Sequence, residues 1–150
     1  MAAFRAATTA DLPAIIALLA DDPLGAAREE PGLPAHAGYQ AAFDAIEADP
    51  NQLLLVAEDA GEVVGTLQVT FTPGLSRKGA WRGQIEAVRV AASSRGAGLG
   101  ERMIRHAVAL CRERGCSMVQ LTTDKSRTDA HRFYDRLGFE QSHYGYKLTL

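Results

Sequence analysis

The chain has 150 residues, of which 47% are hydrophobic, and its 16 basic and 18 acidic residues give a formal net charge of −2. This length is sufficient for one domain with a buried core, expected over residues 1–150, and the composition excludes a disordered protein. The nearly balanced charge provides no general attraction to nucleic acid or to an acidic membrane, so neither is expected as a partner.

The sequence shows no pattern of a membrane span, a signal peptide, a disulfide framework or a cysteine metal site. No apolar run approaches the roughly 18 residues of a membrane-spanning helix, and the N-terminus lacks a signal-peptide pattern. The two cysteines, Cys111 and Cys116, are too few for a disulfide framework and have no partners at metal-ligand spacing. We therefore expect a cytoplasmic protein with free thiols and no bound metal.

The first third of the chain is expected to form one strand and two helices. Residues 4–7 are compatible with a short strand. Helical spacing of apolar residues follows over 12–19, with Thr9 or Asp11 as the N-cap. A loop over 21–34 is rich in Pro, Gly and charge, and a second, weaker helix is expected over 36–48.

The middle of the chain is expected to form three strands. Residues 53–58 and 63–71 have the pattern of an antiparallel pair joined by a turn at 59–61. Thr66, Gln68 and Thr70 alternate with apolar or small residues along the second strand of this pair. After a loop over 73–79, residues 81–90 are predicted to form the next strand.

The last third is expected to contain two helices and two strands. Apolar residues at 99, 103, 107 and 111 recur every four positions, which predicts a long helix capped by Gly115. A strand over 118–122, a short helix over 130–137 stopped by Gly138, and a last strand over 144–150 follow. The predicted order is about β-α-α-β-β-β-α-β-α-β, a single-domain α/β fold with a mixed, mostly antiparallel central sheet flanked by helices.

The turn before the long helix is the strongest functional signal, and it reads Arg95-Gly96-Ala97-Gly98-Leu99-Gly100. Glycines allow the backbone to approach a ligand closely, and the first N–H groups of the helix lack intrahelical partners. The helix N-terminus also carries a partial positive charge. The turn is therefore expected to bind a phosphate group.

Two common phosphate motifs do not fit this turn. A nucleotide P-loop needs Lys and then Ser or Thr after its last glycine, whereas Glu101 and Arg102 follow Gly100. A dinucleotide fingerprint needs a third glycine where this chain has Glu101 or Met103. A turn that only joins a strand to a helix does not require this density of glycine.

At these positions the sequence resembles the GNAT superfamily of acyl-CoA-dependent N-acyltransferases. Arg95, Gly98 and Gly100 fill a signature of Arg or Gln, two residues, Gly, one residue, and Gly or Ala. The segment Ile-Glu-Ala-Val-Arg-Val at 85–90 is similar to the family's fourth strand. A second signature lies at 130–139, Ala-His-Arg-Phe-Tyr-Asp-Arg-Leu-Gly-Phe, so the resemblance extends over nearly the whole chain.

The resemblance implies acetyl-CoA or a related acyl-CoA as the donor. It assigns the pantetheine arm to the backbone of Val88 and Val90. It assigns the pyrophosphate to the backbone N–H groups of Arg95, Gly96, Ala97, Gly98, Leu99 and Gly100. Many members have an Asn three residues before the alanine of the second signature, where this chain has Arg127. Either Ser126 or Arg127 replaces that contact, or Arg127 reaches a phosphate.

The implied reaction is attack of an amine on the thioester carbonyl, and it needs a group that removes a proton. An alkyl amine with a pKa of about 10 is mostly protonated at neutral pH. Glu86 is the candidate base, because it lies four residues before Val90 in the same strand. In a regular strand Glu86, Val88 and Val90 share one face, and a bulge would break this alternation. Alternatively, Glu86 holds a cationic substrate or pairs with Arg89.

Tyr134 is the candidate acid, because it matches the family's acid tyrosine and its hydroxyl can donate to the departing thiolate. The alternative is a core aromatic residue beside Phe133. Covalent catalysis by cysteine is not expected, because Cys111 lies on the buried stripe of its helix and Cys116 follows the helix cap. Both thiols are predicted to be buried.

We therefore predict an N-acetyltransferase that uses acetyl-CoA and a primary amine of a small molecule or peptide in a ternary complex. One rival is a non-catalytic acyl-CoA sensor or regulatory module, and a second is an interaction scaffold without a ligand. The sequence does not identify the amine acceptor. Homodimers are common in the superfamily, but no residue of this chain demonstrates one.

Overall fold

A computed structural model describes all 150 residues, which fall into two compact units, Met1–Gln120 and Leu121–Leu150. Five strands and four helices of nine residues or more are present along the chain, and a shorter helical turn lies at Ser76–Gly79. In order, they are β1 (Ala3–Ala6), α1 (Leu12–Ala20), α2 (Ala37–Ala48), β2 (Gln52–Asp59), β3 (Glu62–Pro73), β4 (Trp81–Val90), α3 (Leu99–Glu113), β5 (Cys116–Leu121) and α4 (Thr128–Arg136). None of these helices has both the length and the apolar character needed to cross a membrane.

The strands form one sheet in the order β1-β2-β3-β4-β5, and the pairs β1–β2, β2–β3 and β3–β4 are antiparallel. Helix α3 separates β4 from β5. Contacts between these two strands advance in the same direction along both, since Ser117 Oγ donates to the Trp81 carbonyl (3.3 Å) and Gln120 Nε2 donates to Gln84 Oε1 (2.6 Å). The pair is therefore parallel, and the predicted mixed, mostly antiparallel sheet is confirmed.

Helix α3 packs on one face of the sheet with the stripe that the sequence predicts. Its buried residues are Leu99, Met103, Ile104, Ala107 and Cys111. Two strand glycines allow the close approach. A Cβ added at Gly83 would lie 2.3 Å from Cys111 Sγ, and one added at Gly65 would lie 2.7 Å from Met103 Sδ.

Helices α1 and α2 pack on the opposite face of the sheet. Leu12, Ile16 and Phe43 form a buried cluster there, and Leu54 of β2 packs against it. Asp11 is the N-cap of α1, but its carboxylate makes no cap hydrogen bond to that helix. Its Oδ2 instead accepts from the Thr8 N–H (2.7 Å) and from Arg5 Nη1 (2.7 Å). This network connects β1 to the start of α1.

The predicted last strand is wrong. The segment over 144–150 has no strand structure, and Tyr144, Tyr146, Leu148 and Leu150 are all at least 86% exposed. Alternating apolar residues favour an extended backbone, but a strand also needs a neighbouring edge with which to pair, and the local pattern does not specify one. The observed order therefore ends on α4.

Candidate active site

The central feature of the site is a β-bulge in β4. Gln68 of β3 lies opposite Glu86, and Thr66 lies opposite Arg89. Between these pairs β3 has only Leu67, whereas β4 has two residues, Ala87 and Val88. Ala87 takes a φ of +53°, which is rare for a residue with a side chain and absorbs the extra residue.

The bulge places Glu86 and Arg89 on the same face of the sheet. Gln68, opposite Glu86, pairs on its other side with Leu54, so this face is the one that α1 and α2 cover in part. Val90 instead lies opposite Gly65, on the side of α3. The predicted shared parity of Glu86 and Val90 is therefore wrong, because one extra residue shifts the alternation by one.

Glu86 is exposed, and Gln68 lies opposite it on β3, with Thr70 and Gln52 farther along the same face. Gln68 Nε2 donates to Gln52 Oε1 (3.1 Å), and Thr70 Oγ1 donates to the same oxygen (2.9 Å). Arg89 lies 3.7 Å from Asp22 and donates to the Val88 carbonyl (2.9 Å). The ion pair of Arg89 with Asp22 joins the loop after α1 to the bulge, and the carboxylate of Glu86 faces solvent.

The second half of β4 has an open edge within the sheet. The contacts of Ser117 and Gln120 place β5 beside the first half of β4, and β5 ends at Leu121. Val88 and Val90 lie beyond that point and are half-buried. The Val88 carbonyl accepts from Arg89 Nη1 (2.9 Å), and the Val90 carbonyl accepts from Arg95 Nε (3.2 Å).

The glycine turn has two residues in the left-handed region of backbone conformation. Gly96 has a φ of +81°, and Gly98, the N-cap of α3, has a φ of +78°. A Cβ added at either glycine meets no atom within 4 Å, so the space in front of the turn is open. The Arg102 N–H donates to the Gly98 carbonyl (3.1 Å) in the first helical turn. The N–H groups ahead of it are the ones that helix geometry leaves without intrahelical acceptors.

Charged residues close to the turn are paired. Arg95 Nε donates to the Val90 carbonyl (3.2 Å), and its guanidinium lies 3.8 Å from Asp21. Glu101, in the first turn of α3, pairs with Arg105 at 2.8 Å. This pairing weakens the repulsion that Glu101 would exert on an anion at the helix N-terminus.

Arg127 and Ser126 belong to the second compact unit, where they precede α4. The Asp124 carboxylate accepts from the Ser126 N–H (2.9 Å) and hydroxyl (2.7 Å), and these bonds lower the pKa of Asp124. The charge of Arg127 lowers it further. Arg127 is the N-cap of α4 and is half-buried. The Ser126 hydroxyl is thus engaged by Asp124.

Tyr134 lies in α4 and is half-buried. Its ring makes edge contacts with Phe133 (5.1 Å between centroids) and Phe139 (5.8 Å). The ring thus packs among aromatic neighbours, as expected for a core residue. The predicted role as an acid depends only on the hydroxyl group. The same side chain is compatible with both predictions.

The two cysteines differ in their surroundings. Cys111 is fully buried, and burial raises the pKa of its thiol to about 11, so the thiol is protonated at neutral pH and a poor nucleophile. Cys116 is half-buried, so the prediction that both thiols are buried is wrong for Cys116. As the first residue of β5, Cys116 is at the end of the strand, where packing is incomplete.

Comparison with known proteins decides the family. The model of the Acetyltransferase (GNAT) family matches residues 13–139. The chain belongs to the GNAT acetyltransferases. The predicted family, fold class and acyltransferase activity are therefore confirmed, and the family uses acetyl-CoA.

Three similar proteins place this GNAT chain among its relatives. It is 32% identical to the aminoalkylphosphonate N-acetyltransferase of Salmonella typhimurium, over 97% of this chain and 90% of that protein. It is 33% identical to the glucosamine 6-phosphate N-acetyltransferase of Trypanosoma brucei brucei, over 62% of this chain and 61% of that protein. A crystal structure from Bacillus halodurans, described as a transcriptional regulator, superposes with a TM-score of 0.98 and 46% identity over both full chains.

Proposed function

We propose that this GNAT chain transfers an acetyl group from acetyl-CoA to the primary amine of a small acceptor, in a ternary complex in the cytoplasm. The observation that carries the proposal is the arrangement along β4. Glu86 lies directly before the bulge, the open edge at Val88 and Val90 follows it, and the glycine turn comes next along the chain.

The donor is proposed to bind along this path. The backbone of Val88 and Val90 would pair with the pantetheine arm. The N–H groups between Arg95 and Gly100 would hold the pyrophosphate, for which the open space before Gly96 and Gly98 leaves room. When bound, acetyl-CoA supplies the thioester whose acyl carbon accepts the amine. Arg127 is a further proposed contact of the donor.

Glu86 and Tyr134 are proposed to move the two protons of the reaction. The amine nitrogen forms a bond to the acyl carbon while the carbon–sulfur bond breaks. Glu86 accepts the proton that the amine loses, directly or through a water molecule. The Tyr134 hydroxyl gives a proton to the departing thiolate.

The acceptor class follows from the relatives. The names of the Salmonella and Trypanosoma enzymes specify acceptors that carry both an amine and a phosphorus oxyanion. We propose the same class for this chain, a small amine with a phosphate or phosphonate group. The exposed carboxylate of Glu86, with Gln68 opposite it on β3, suits the amine end of such a molecule.

A second candidate is a regulatory module that binds acyl-CoA without turnover. The description of the Bacillus halodurans protein as a transcriptional regulator favours it. Thiol release from acetyl-CoA, measured against a panel of amines, separates the two functions. Turnover with any amine supports the enzyme, whereas tight acetyl-CoA binding without turnover across the panel supports the sensor.

Glu86→Gln tests the catalytic assignment. We expect kcat to fall by about 10²-fold at neutral pH, because the amide cannot accept the proton. Glu113→Gln is the matched control, because Glu113 is an exposed glutamate at the far end of α3. A rise in the acceptor KM with an unchanged kcat would instead assign Glu86 to substrate binding.

A further inference from the structure

The stretch that leads into β4 is strongly basic. No acidic residue occurs between Val63 and Ile85, whereas Arg77, Lys78 and Arg82 lie within this stretch. All three are exposed. Arg77 and Lys78 occupy the β3–β4 loop, immediately before the strand that carries Arg82 and Glu86. One end of β4 therefore presents three cations with no carboxylate in the surrounding segment.

Arg82 lies on the same face of the sheet as Glu86. Arg82, Gln84 and Glu86 pair in unbroken register with Thr72, Thr70 and Gln68. Alternation is strict over these residues, because the bulge begins only after Glu86. The Cα atoms of Arg82 and Glu86 are four residues apart, or about 13 Å along the strand.

The side chains between these two charges are neutral hydrogen-bonding groups. Gln84 accepts from Gln120, and Thr70 and Gln68 both donate to Gln52. Amides and hydroxyls of this kind bind hydroxyl or ether oxygens. The face thus presents a carboxylate, a neutral polar strip and a guanidinium, in that order.

We propose that Arg82, with Arg77 and Lys78 nearby, binds the phosphorus oxyanion of the acceptor while its amine lies beside Glu86, the proposed base. This inference rests on the proposed acetylation of a phosphorylated amine, and it identifies Arg82 as the residue that selects this acceptor. Arginine suits this role because its planar guanidinium binds phosphate through two parallel hydrogen bonds. The separation of Arg82 from Glu86 favours acceptors in which a ring or a chain of several atoms lies between the amine and the phosphate. An amine and a phosphonate on one carbon would not bridge the two residues.

The test compares acceptors that differ only in the phosphate. Wild-type protein with acetyl-CoA is assayed for thiol release with glucosamine 6-phosphate, glucosamine and aminomethylphosphonate. We expect kcat/KM to be at least tenfold higher for glucosamine 6-phosphate than for either of the others. Arg82→Gln should reduce the preference for glucosamine 6-phosphate over glucosamine by about tenfold or more, mainly through KM. Arg82→Lys should restore part of it.

Arg112→Gln is the matched control, because it removes one exposed arginine charge on α3. It should keep the wild-type preference. Thermal unfolding and acetyl-CoA titration of each variant establish that it is folded and binds the donor. A wild-type enzyme that acetylates glucosamine or another unphosphorylated amine as well as glucosamine 6-phosphate would overturn this inference and the proposed acceptor class, and would leave the proposed acetyl transfer intact. An Arg82→Gln variant with unchanged preference would overturn the role of Arg82 alone. Absence of turnover with every amine, despite donor binding, would overturn the proposed function itself.

Discussion

Tyr134 combines a ring that packs against Phe133 and Phe139 with a hydroxyl that can donate a proton. Tyr134→Phe keeps the ring and removes only the hydroxyl. We expect kcat to fall by about 10²-fold with little change in the Kd of acetyl-CoA, because only the departing sulfur loses its donor. Steady-state thiol release and donor titration measure the two quantities.

Tyr146→Phe is the control for this variant, because Tyr146 is 95% exposed. It should leave kcat unchanged. Equal turnover by Tyr134→Phe and the wild type would assign Tyr134 to packing alone.

Asp11 gives a prediction about stability and pH. The guanidinium of Arg5 and the backbone N–H of Thr8 bind its carboxylate, and the bonds to Arg5 are the largest cause that lowers its pKa from 3.8 to about 2. A carboxyl whose pKa is lower in the folded state stabilises the fold above its unfolded-state pKa. That contribution is present above about pH 4 and is lost as the pH falls toward about 2.

We expect Asp11→Asn to lower the free energy of unfolding by about 1–2 kcal/mol at neutral pH, a value reduced from the full linkage because the partner Arg5 is partly exposed. The difference from the wild type should shrink as the pH approaches 2. Urea denaturation at several pH values measures it. Asp135→Asn, at an exposed aspartate of α4, should show no such pH-dependent loss. A difference for Asp11→Asn that persists at pH 2 would contradict the assignment to Arg5.

At the scale of elements, α3 packs closely on β4 because Gly83 of β4 faces Cys111 of α3. A Cβ at Gly83 would lie 2.3 Å from Cys111 Sγ but 3.4 Å from Cys111 Cβ. Gly83→Ala should therefore destabilise the protein by about 1–3 kcal/mol, because the buried sulfur would have to shift to admit the methyl group.

Removing that sulfur provides the test. The double variant Gly83→Ala/Cys111→Ala should be nearly as stable as Cys111→Ala alone. Once the sulfur is absent, the added methyl group lies at an ordinary van der Waals distance from the Cβ of residue 111. Urea denaturation of the four proteins gives the coupling energy. Strictly additive effects would mean that the clash is relieved elsewhere.

The bulge of β4 is also an element-scale feature, and sequence patterns alone do not locate it. The alternation of residues 81–90 predicts a regular strand with the bounds that the structure shows. One residue separates Gln68 from Thr66 on β3, whereas two residues separate their partners Glu86 and Arg89 on β4. The extra residue is therefore defined only by the pairing of the two strands. The sequence also does not predict the pairing of Arg89 with Asp22, because that pairing depends on how the loop after α1 packs against β4.

For the whole molecule, donor binding should appear as a gain in thermal stability. A ligand at about 100 times its Kd stabilises the folded state by about 2.7 kcal/mol, which raises Tm by about 5–10 °C in a protein of this size. Acetyl-CoA should therefore raise Tm, and an interaction scaffold without a ligand would show no rise. Gly98→Glu should abolish the increase, because its side chain would occupy the open space before the turn.

Gly115→Glu is the control, because Gly115 has nearly the same φ (+80° against +78°) and equally open surroundings, but lies at the other end of α3. Both variants carry the same backbone strain, so their own Tm values should fall by similar amounts. Only Gly115→Glu should keep the increase with acetyl-CoA. If Gly98→Glu kept it too, the proposed place of the pyrophosphate would be wrong.

The sequence by itself determined the features that depend on local backbone preference and on periodicity. The glycine-rich turn before α3, the buried stripe of α3, the bounds of β4 and the family signatures are all of this kind. Only the tertiary structure decided that Glu86 and Arg89 share a face, that Arg82 is aligned with Glu86 across a neutral strip, and that residues 144–150 form no strand. These features depend on how strands pair, and a strand's own residues do not specify its partner or its register.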